Sequence, residues 1–194
     1  MKTTLASGDA LIVVDMQNDF LPGGSLGVPL GNEIIPLLNR YLALFHTHGL
    51  PIFATRDWHP PDHCSFLPQG GPWPPHCIAA TPGAAFPATL ELPCDTRIIS
   101  KATSREQDVY SGFSDTQLDA LLQACNVRRL FVGGVATEYC VLNTVQDALQ
   151  HHYTTFILVD AVRALNMKAD DGPHALEAMV HLGAVPLHFE ALGA

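Results

Sequence analysis

The run Ala10-Leu11-Ile12-Val13-Val14-Asp15 constrains this chain more than any other segment. A strand with water on one face alternates apolar and polar residues. A continuous apolar, β-branched run suits a strand covered on both faces, which is the habit of parallel sheets. Parallel neighbours cannot be joined by a tight hairpin. Each needs a crossover of a dozen or more residues, usually a helix.

The rest of the chain supplies such crossovers. Asn32 to Gly49 reads as a helix, with Asn32 as cap, Pro36 tolerated near the first turn, and Ile34, Ile35, Leu37, Leu38, Leu42 and Phe45 at helical spacing. Residues 50–55 form the second strand and 96–100 the third. Ser114 to Asn126 is expected to be a helix with a capping box from Ser114 and Gln117. Residues 129–133 form the fourth strand, Thr137 to His151 a helix, and 155–159 the fifth strand. Asp171 to Leu182 is a helix, and 184–187 a last strand placed at an edge by Pro186. Alternation of this kind predicts an α/β fold: a three-layer αβα sandwich around a mostly parallel, about six-stranded sheet. We expect residues 1–194 to form a single domain.

Residues 58–95 break the pattern. Most of the chain's fifteen prolines lie there, with repeated glycines and no apolar period. A loop region of that length inside an alternating series is expected to carry function.

Net charge is −9, from 10 Lys and Arg against 19 Asp and Glu. No basic face for a nucleic-acid partner is expected. No apolar run approaches the ~18 residues of a membrane span, and the polar start lacks the apolar stretch of a signal peptide. A cytoplasmic protein is the expectation. Five cysteines, an odd number with no C-x-x-C pair, suggest free thiols.

In open parallel sheets, ligands bind beyond the carboxyl ends of the strands. Strand one ends at Asp15, strand two at Asp57 and His59, strand three at Lys101. Strand four runs into Gly133-Gly134-Val135-Ala136-Thr137-Glu138-Tyr139-Cys140. An acid, an acid–imidazole pair, an amine and a thiol thus reach one edge. Cys140 falls in the first turn of a helix, where unpaired N–H groups and the dipole favour a thiolate. N–H groups near Ala136 and Cys140 could also hold an oxyanion. Taken alone, Cys140 reads somewhat better as a buried structural cysteine. With Asp15 to take its proton and Lys101 to keep that acid ionised, it reads as a nucleophile. Asp57 and His59 alternate in an extended segment and point the same way. With His76 or His63 from the following loop they would make an open metal site; its donors fit zinc, iron and manganese alike, and zinc is the expectation.

Four segments carry a resemblance. Val13-Val14-Asp15-Met16-Gln17-Asn18-Asp19-Phe20, Thr55-Arg56-Asp57-Trp58-His59-Pro60, Trp73-Pro74-Pro75-His76-Cys77 and Gly134-Val135-Ala136-Thr137-Glu138-Tyr139-Cys140-Val141 resemble the nicotinamidases, a branch of the isochorismatase-like hydrolases. The resemblance runs along nearly the whole chain in the right order. It implies Asp15, Lys101 and Cys140 as catalytic residues and Asp57, His59 and His76 as ligands of one divalent metal ion. It implies an aromatic substrate pocket of Phe20, Trp73 and Tyr110, and a cis peptide between Val135 and Ala136. His63 is the nearest counterpart of a further histidine ligand in some members, but its spacing is shorter, and it is left out of the ligand set. Glu138 stands where many relatives carry Asp. The activity implied is hydrolysis of nicotinamide, and of pyrazinamide, through a cysteine thioester. A related carboxamide or carbamoyl compound as substrate is the first alternative. A catalytically silent binding protein on the same fold is the second. A homo-oligomer is compatible with this reading.

Overall fold

A computed structural model describes residues 3–193. Its strands are β1 (Thr3–Thr4), β2 (Asp9–Val14), β3 (Ile52–Asp57), β4 (Arg97–Lys101), β5 (Arg129–Val135), β6 (Thr154–Arg163), β7 (Val185–Leu187) and β8 (Leu192–Gly193). Its α-helices are α1 (Ile35–Thr47), α2 (Leu118–Ala124), α3 (Leu142–Gln150) and α4 (Asp171–His181). Six strands make one sheet in the order β4-β3-β2-β5-β6-β7, parallel throughout. β1 and β8 pair separately. That small pairing joins the two ends of the described chain and carries no signal in the sequence.

The doubly buried first strand is confirmed residue by residue. Leu11 and Val13 pack into a core with Leu38, Leu42 and Phe45 of α1. Ala10, Ile12 and Val14 pack into a second core with Leu118 and Leu122 of α2, Val145 and Ala148 of α3 and Met179 of α4. The α1 face has one long helix. Leu21, Val28, Cys77, Ala84 and Leu90 from the loops complete its cover. Through Cys77, Ala84 and Leu90 the proline-rich region helps to cover this face with no α-helix of its own, only a 3₁₀ turn at Leu67–Gln69.

Three helix starts differ from expectation. Asn32 lies in a 3₁₀ turn, Gly31–Ile34, and α1 begins at Ile35 without a side-chain cap. The capping box at Ser114 and Gln117 does not form, because α2 begins only at Leu118. Asp115 takes a left-handed backbone, φ 53°, which no helix tolerates in its first turn. Thr116 organises the entry instead. Its hydroxyl donates to Gly112 O at 2.6 Å and accepts from Leu118 N–H at 3.1 Å. The third departure is at Thr137–Val141, a single π turn, with α3 following from Leu142.

The chain runs outward from β2 through β3 to β4, then returns to place β5 on the other side of β2. The switch point between β2 and β5 opens a crevice at their carboxyl ends. Gly134 allows the close approach there. At φ 128° any Cβ would lie 2.1 Å from Val14 O.

Candidate active site

Asp15 follows β2, Asp57 and Lys101 end β3 and β4, and Cys140 follows β5. The register pairs Asp57 directly with Lys101. All four side chains are buried, Lys101 at 1% and Asp15 at 0% exposure. A buried lysine keeps its charge only with close partners. Lys101 Nζ lies 2.5 Å from Asp57 Oδ1, 3.0 Å from Asp15 Oδ2 and 3.4 Å from Cys140 Sγ.

The two acids differ in how they are held. Asp15 takes a left-handed backbone, φ 49°, fixed by its N–H donating to Thr55 O and by its C=O accepting from Gln17 N–H. Strain of this kind is a mark of functional positions. Its Oδ1 accepts a 2.6 Å hydrogen bond from the Thr55 hydroxyl. Its Oδ2 is near Lys101 but off the line of a hydrogen bond, and has no hydrogen-bond partner. Burial raises the Asp15 carboxyl above its ordinary value, against the pull of Lys101. Burial also acts on Asp57, but the charge of Lys101 outweighs it and holds Asp57 well below the usual carboxylate range. One acid is thus fixed as an anion, and the other is the better proton acceptor.

Cys140 corrects an expectation. Its position at a helix start was expected to favour the thiolate. Burial raises its thiol well above the ordinary value, Lys101 offsets this only in part, and the carboxylates of Asp15 and Asp57 push further up. Cys140 rests as a thiol and needs a base to react. The Val135–Ala136 peptide is cis. The Ala136 N–H has no hydrogen-bond partner among the described residues.

Beside this group, Asp57, His59 and His76 bring one ligand atom each within 4.8 Å of one another. The backbone selects their tautomers. His59 Nδ1 is 3.1 Å from Ala102 O and His76 Nδ1 is 2.8 Å from Pro74 O. Each Nδ1 carries the proton and donates it, so each Nε2 presents a lone pair. His59 Nε2 is buried with no hydrogen-bond partner. An orphaned imidazole nitrogen facing a carboxylate and a second imidazole fits a divalent metal ion, and carbonyl-braced histidines are its usual support. His63 does not belong to the set. Ser65 N–H donates to its Nδ1 at 3.3 Å, and its Nε2–H donates to Gln107 O at 3.1 Å, so no lone pair remains. Its ring lies against that of His59, with centroids 4.2 Å apart.

A pocket opens over both groups, walled by Phe20, Trp73, Tyr110 and Tyr139, with Cys140 and Ala136 on one side and His59 and His76 on another. The Trp73 indole N–H donates to Tyr110 Oη at 3.1 Å, and Trp73 meets Tyr139 edge to face. The walls are thus flat, apolar and mutually braced, with two reactive clusters reaching the same small space.

The chain matches the isochorismatase domain over residues 9–191. It belongs to the isochorismatase family. Within that family it is similar to the nicotinamidase of Escherichia coli strain K12, 35% identical over 196 residues, which span 90% of this chain and 92% of that one. Of solved structures, the pyrazinamidase of Pyrococcus horikoshii in complex with zinc is 49% identical with a TM-score of 0.90, covering 94% of this chain and 99% of that one. PnC1 from L. infantum in complex with nicotinate is 36% identical with a TM-score of 0.91, and the match covers 100% of both chains.

Some residues of this isochorismatase-family site were not singled out from sequence. Thr55 fixes Asp15, as above. The Gln17 amide donates to Asp57 O at 2.8 Å and to Ala84 O at 2.9 Å, and its oxygen accepts from Asp57 N–H at 2.8 Å. Tyr139 adds an aromatic wall. Gln17 and Tyr139 lie inside segments that carry the family resemblance, which was the available signal. Thr55 reads only as a β-branched strand residue, and its role depends on a partner forty positions away.

Proposed function

We propose that the protein is a metal-dependent nicotinamidase, hydrolysing nicotinamide to nicotinate and ammonia in NAD salvage and accepting pyrazinamide as well. The observation that carries this reading is one aromatic pocket shared by a thiol–carboxylate–amine group and an open Asp-His-His group. The first can cleave a carboxamide, and the second can recognise the ring that bears it. Similarity to nicotinamidases over nearly the whole chain supports the same substrate.

In this mechanism the pyridine ring lies between Phe20 and Trp73, with its carboxamide carbon toward Cys140. Asp15 accepts the Cys140 proton on Oδ2, its unpartnered oxygen. The thiolate attacks the carboxamide carbon, and the N–H groups of Ala136 and Cys140 stabilise the oxyanion. Asp15 returns the proton to the departing nitrogen, the C–N bond breaks, and ammonia leaves a thioester. Asp15 then takes a proton from water, and the resulting hydroxide adds to the thioester carbon. The C–S bond breaks, the proton on Asp15 returns to sulfur, and the acid product ionises to nicotinate. Lys101 holds the charge of the two acids through both halves. Asp57, His59 and His76 would hold the metal ion, zinc by preference, which supplies an anchor for the ring nitrogen and a bound water. Among the described residues no helix is long and apolar enough to cross a membrane. A cytoplasmic enzyme fits that observation.

Ammonia release from nicotinamide by the metal-replete protein is the test, run beside pyrazinamide and a panel of other carboxamides and carbamoyl compounds. Cys140→Ala should lower turnover by ~10³-fold or more. Retained turnover in that variant removes the mechanism, and preference for another panel member replaces the substrate.

A further inference from the structure

Glu138 lies two residues before Cys140, in the same π turn, and the mechanism leaves it unused. Its carboxylate faces away from the thiol, toward the segment that follows β6. There Oε1 accepts from Asn166 N–H at 2.6 Å and Oε2 from Leu165 N–H at 3.2 Å. Adjacent backbone N–H groups converging on one anion form a nest, and a carboxylate there makes charge-assisted bonds. The segment needs such an anchor. Residues 164–170 form no regular element, and Asn166 sits at φ 54°, where an L-residue is held only by its surroundings. At its far end Asn166 Oδ1 accepts from Gly172 N–H in the first turn of α4. Leu165, caught between these two ties, is a wall of the pocket, beside Tyr139 and Cys140.

We infer that Glu138 is a positioning residue that clamps the Leu165 wall of the substrate pocket to the turn carrying Cys140. It touches no reacting atom. It makes the distance between nucleophile and wall a property of one side chain, so that the ring of a carboxamide substrate meets a fixed surface when the thiol is in place. This rests on the amide-hydrolase reading for its kinetic consequences, and on the two hydrogen bonds alone for its structural ones.

Both levels are testable in the metal-replete protein. Amide hydrogen exchange at Leu165 and Asn166 should accelerate in Glu138→Ala, while exchange in β2 and β5 stays as in the parent. KM for nicotinamide should rise about tenfold in Glu138→Ala and about threefold in Glu138→Gln, whose amide keeps one acceptor, with kcat within about threefold in both. If Glu138 acts through Leu165, the same change made in a Leu165→Ala background should move KM by less than about twofold. Unchanged exchange at both amides overturns the clamp, whatever the substrate. So do KM effects that multiply independently in the double variant, or a fall in kcat at constant KM. Should Glu138→Ala fail to fold, the Glu138→Gln comparisons decide by the same criteria. A parent protein that releases no ammonia from nicotinamide refutes the proposed function and leaves the exchange result to judge the clamp.

Discussion

The two ends of the sheet hold buried charge in opposite ways. At the amino end, Arg129 grips Asp9 with two bonds of 2.6 Å and donates a third to Thr4 O, while Ala6 N–H satisfies Asp9 further. One cation meets one anion, and Asp9 is saturated. At the carboxyl end, Lys101 is shared by two carboxylates and a thiol. Asp15 Oδ2 and His59 Nε2 are left without hydrogen bonds. The same sheet therefore carries a completed ion pair at one end and an incomplete group at the other. Completed pairs secure a structure. Incomplete ones keep lone pairs and protons available to a ligand.

The contrast can be broken first at Lys101. Lys101→Met leaves Asp15 and Asp57 buried without a counter-charge. Turnover of nicotinamide should fall by ~10³-fold or more, and stability by about 3–5 kcal/mol, read from denaturant titration of the metal-free protein. A variant that unfolds at the parental midpoint would show that the two acids do not need the amine.

Asp57→Ala should have a smaller and different effect. It removes a candidate ligand, so bound metal should drop by elemental analysis and KM should rise roughly 10–100-fold. Unaltered metal content would dissolve the ligand set of Asp57, His59 and His76.

At the other end, Arg129→Met should cost about 2 kcal/mol of stability, because Asp9 would remain buried with fewer bonds. Its kcat at a temperature where both proteins are folded should stay within about twofold. A kcat loss larger than that would mean that the two ends are mechanically coupled and not separate in role.

What was legible beforehand follows the same division. Asp15, Asp57, Lys101 and Cys140 could be read because strand ends in a parallel sheet share an edge, and that rule needs only element order. The tautomers of His59 and His76 could not, because they depend on carbonyls of Ala102 and Pro74 whose positions follow from loop geometry. The protonation of Cys140 is not legible in its helix-start position, because the burial that raises the thiol comes from distant residues. Ser114 and Gln117 have the spacing of a capping box, yet the left-handed turn at Asp115 excludes it. Local patterns name candidates; long-range contacts decide which of them are used.

The strand order β4-β3-β2-β5 has one more consequence. Asp15, Asp57, His59, His76 and Lys101 all arrive from residues 15–101, and the thiol arrives with β5, beyond the loop and helix that follow Lys101. The chemistry is thus divided between two stretches of chain, brought together where β5 pairs with β2 and Lys101 reaches Cys140. A polypeptide ending before β5 would hold the proposed base and the candidate metal ligands with no thiol beside them, and its complement a thiol with no carboxylate to take its proton. The reacting centre comes into being only when the two are zipped together.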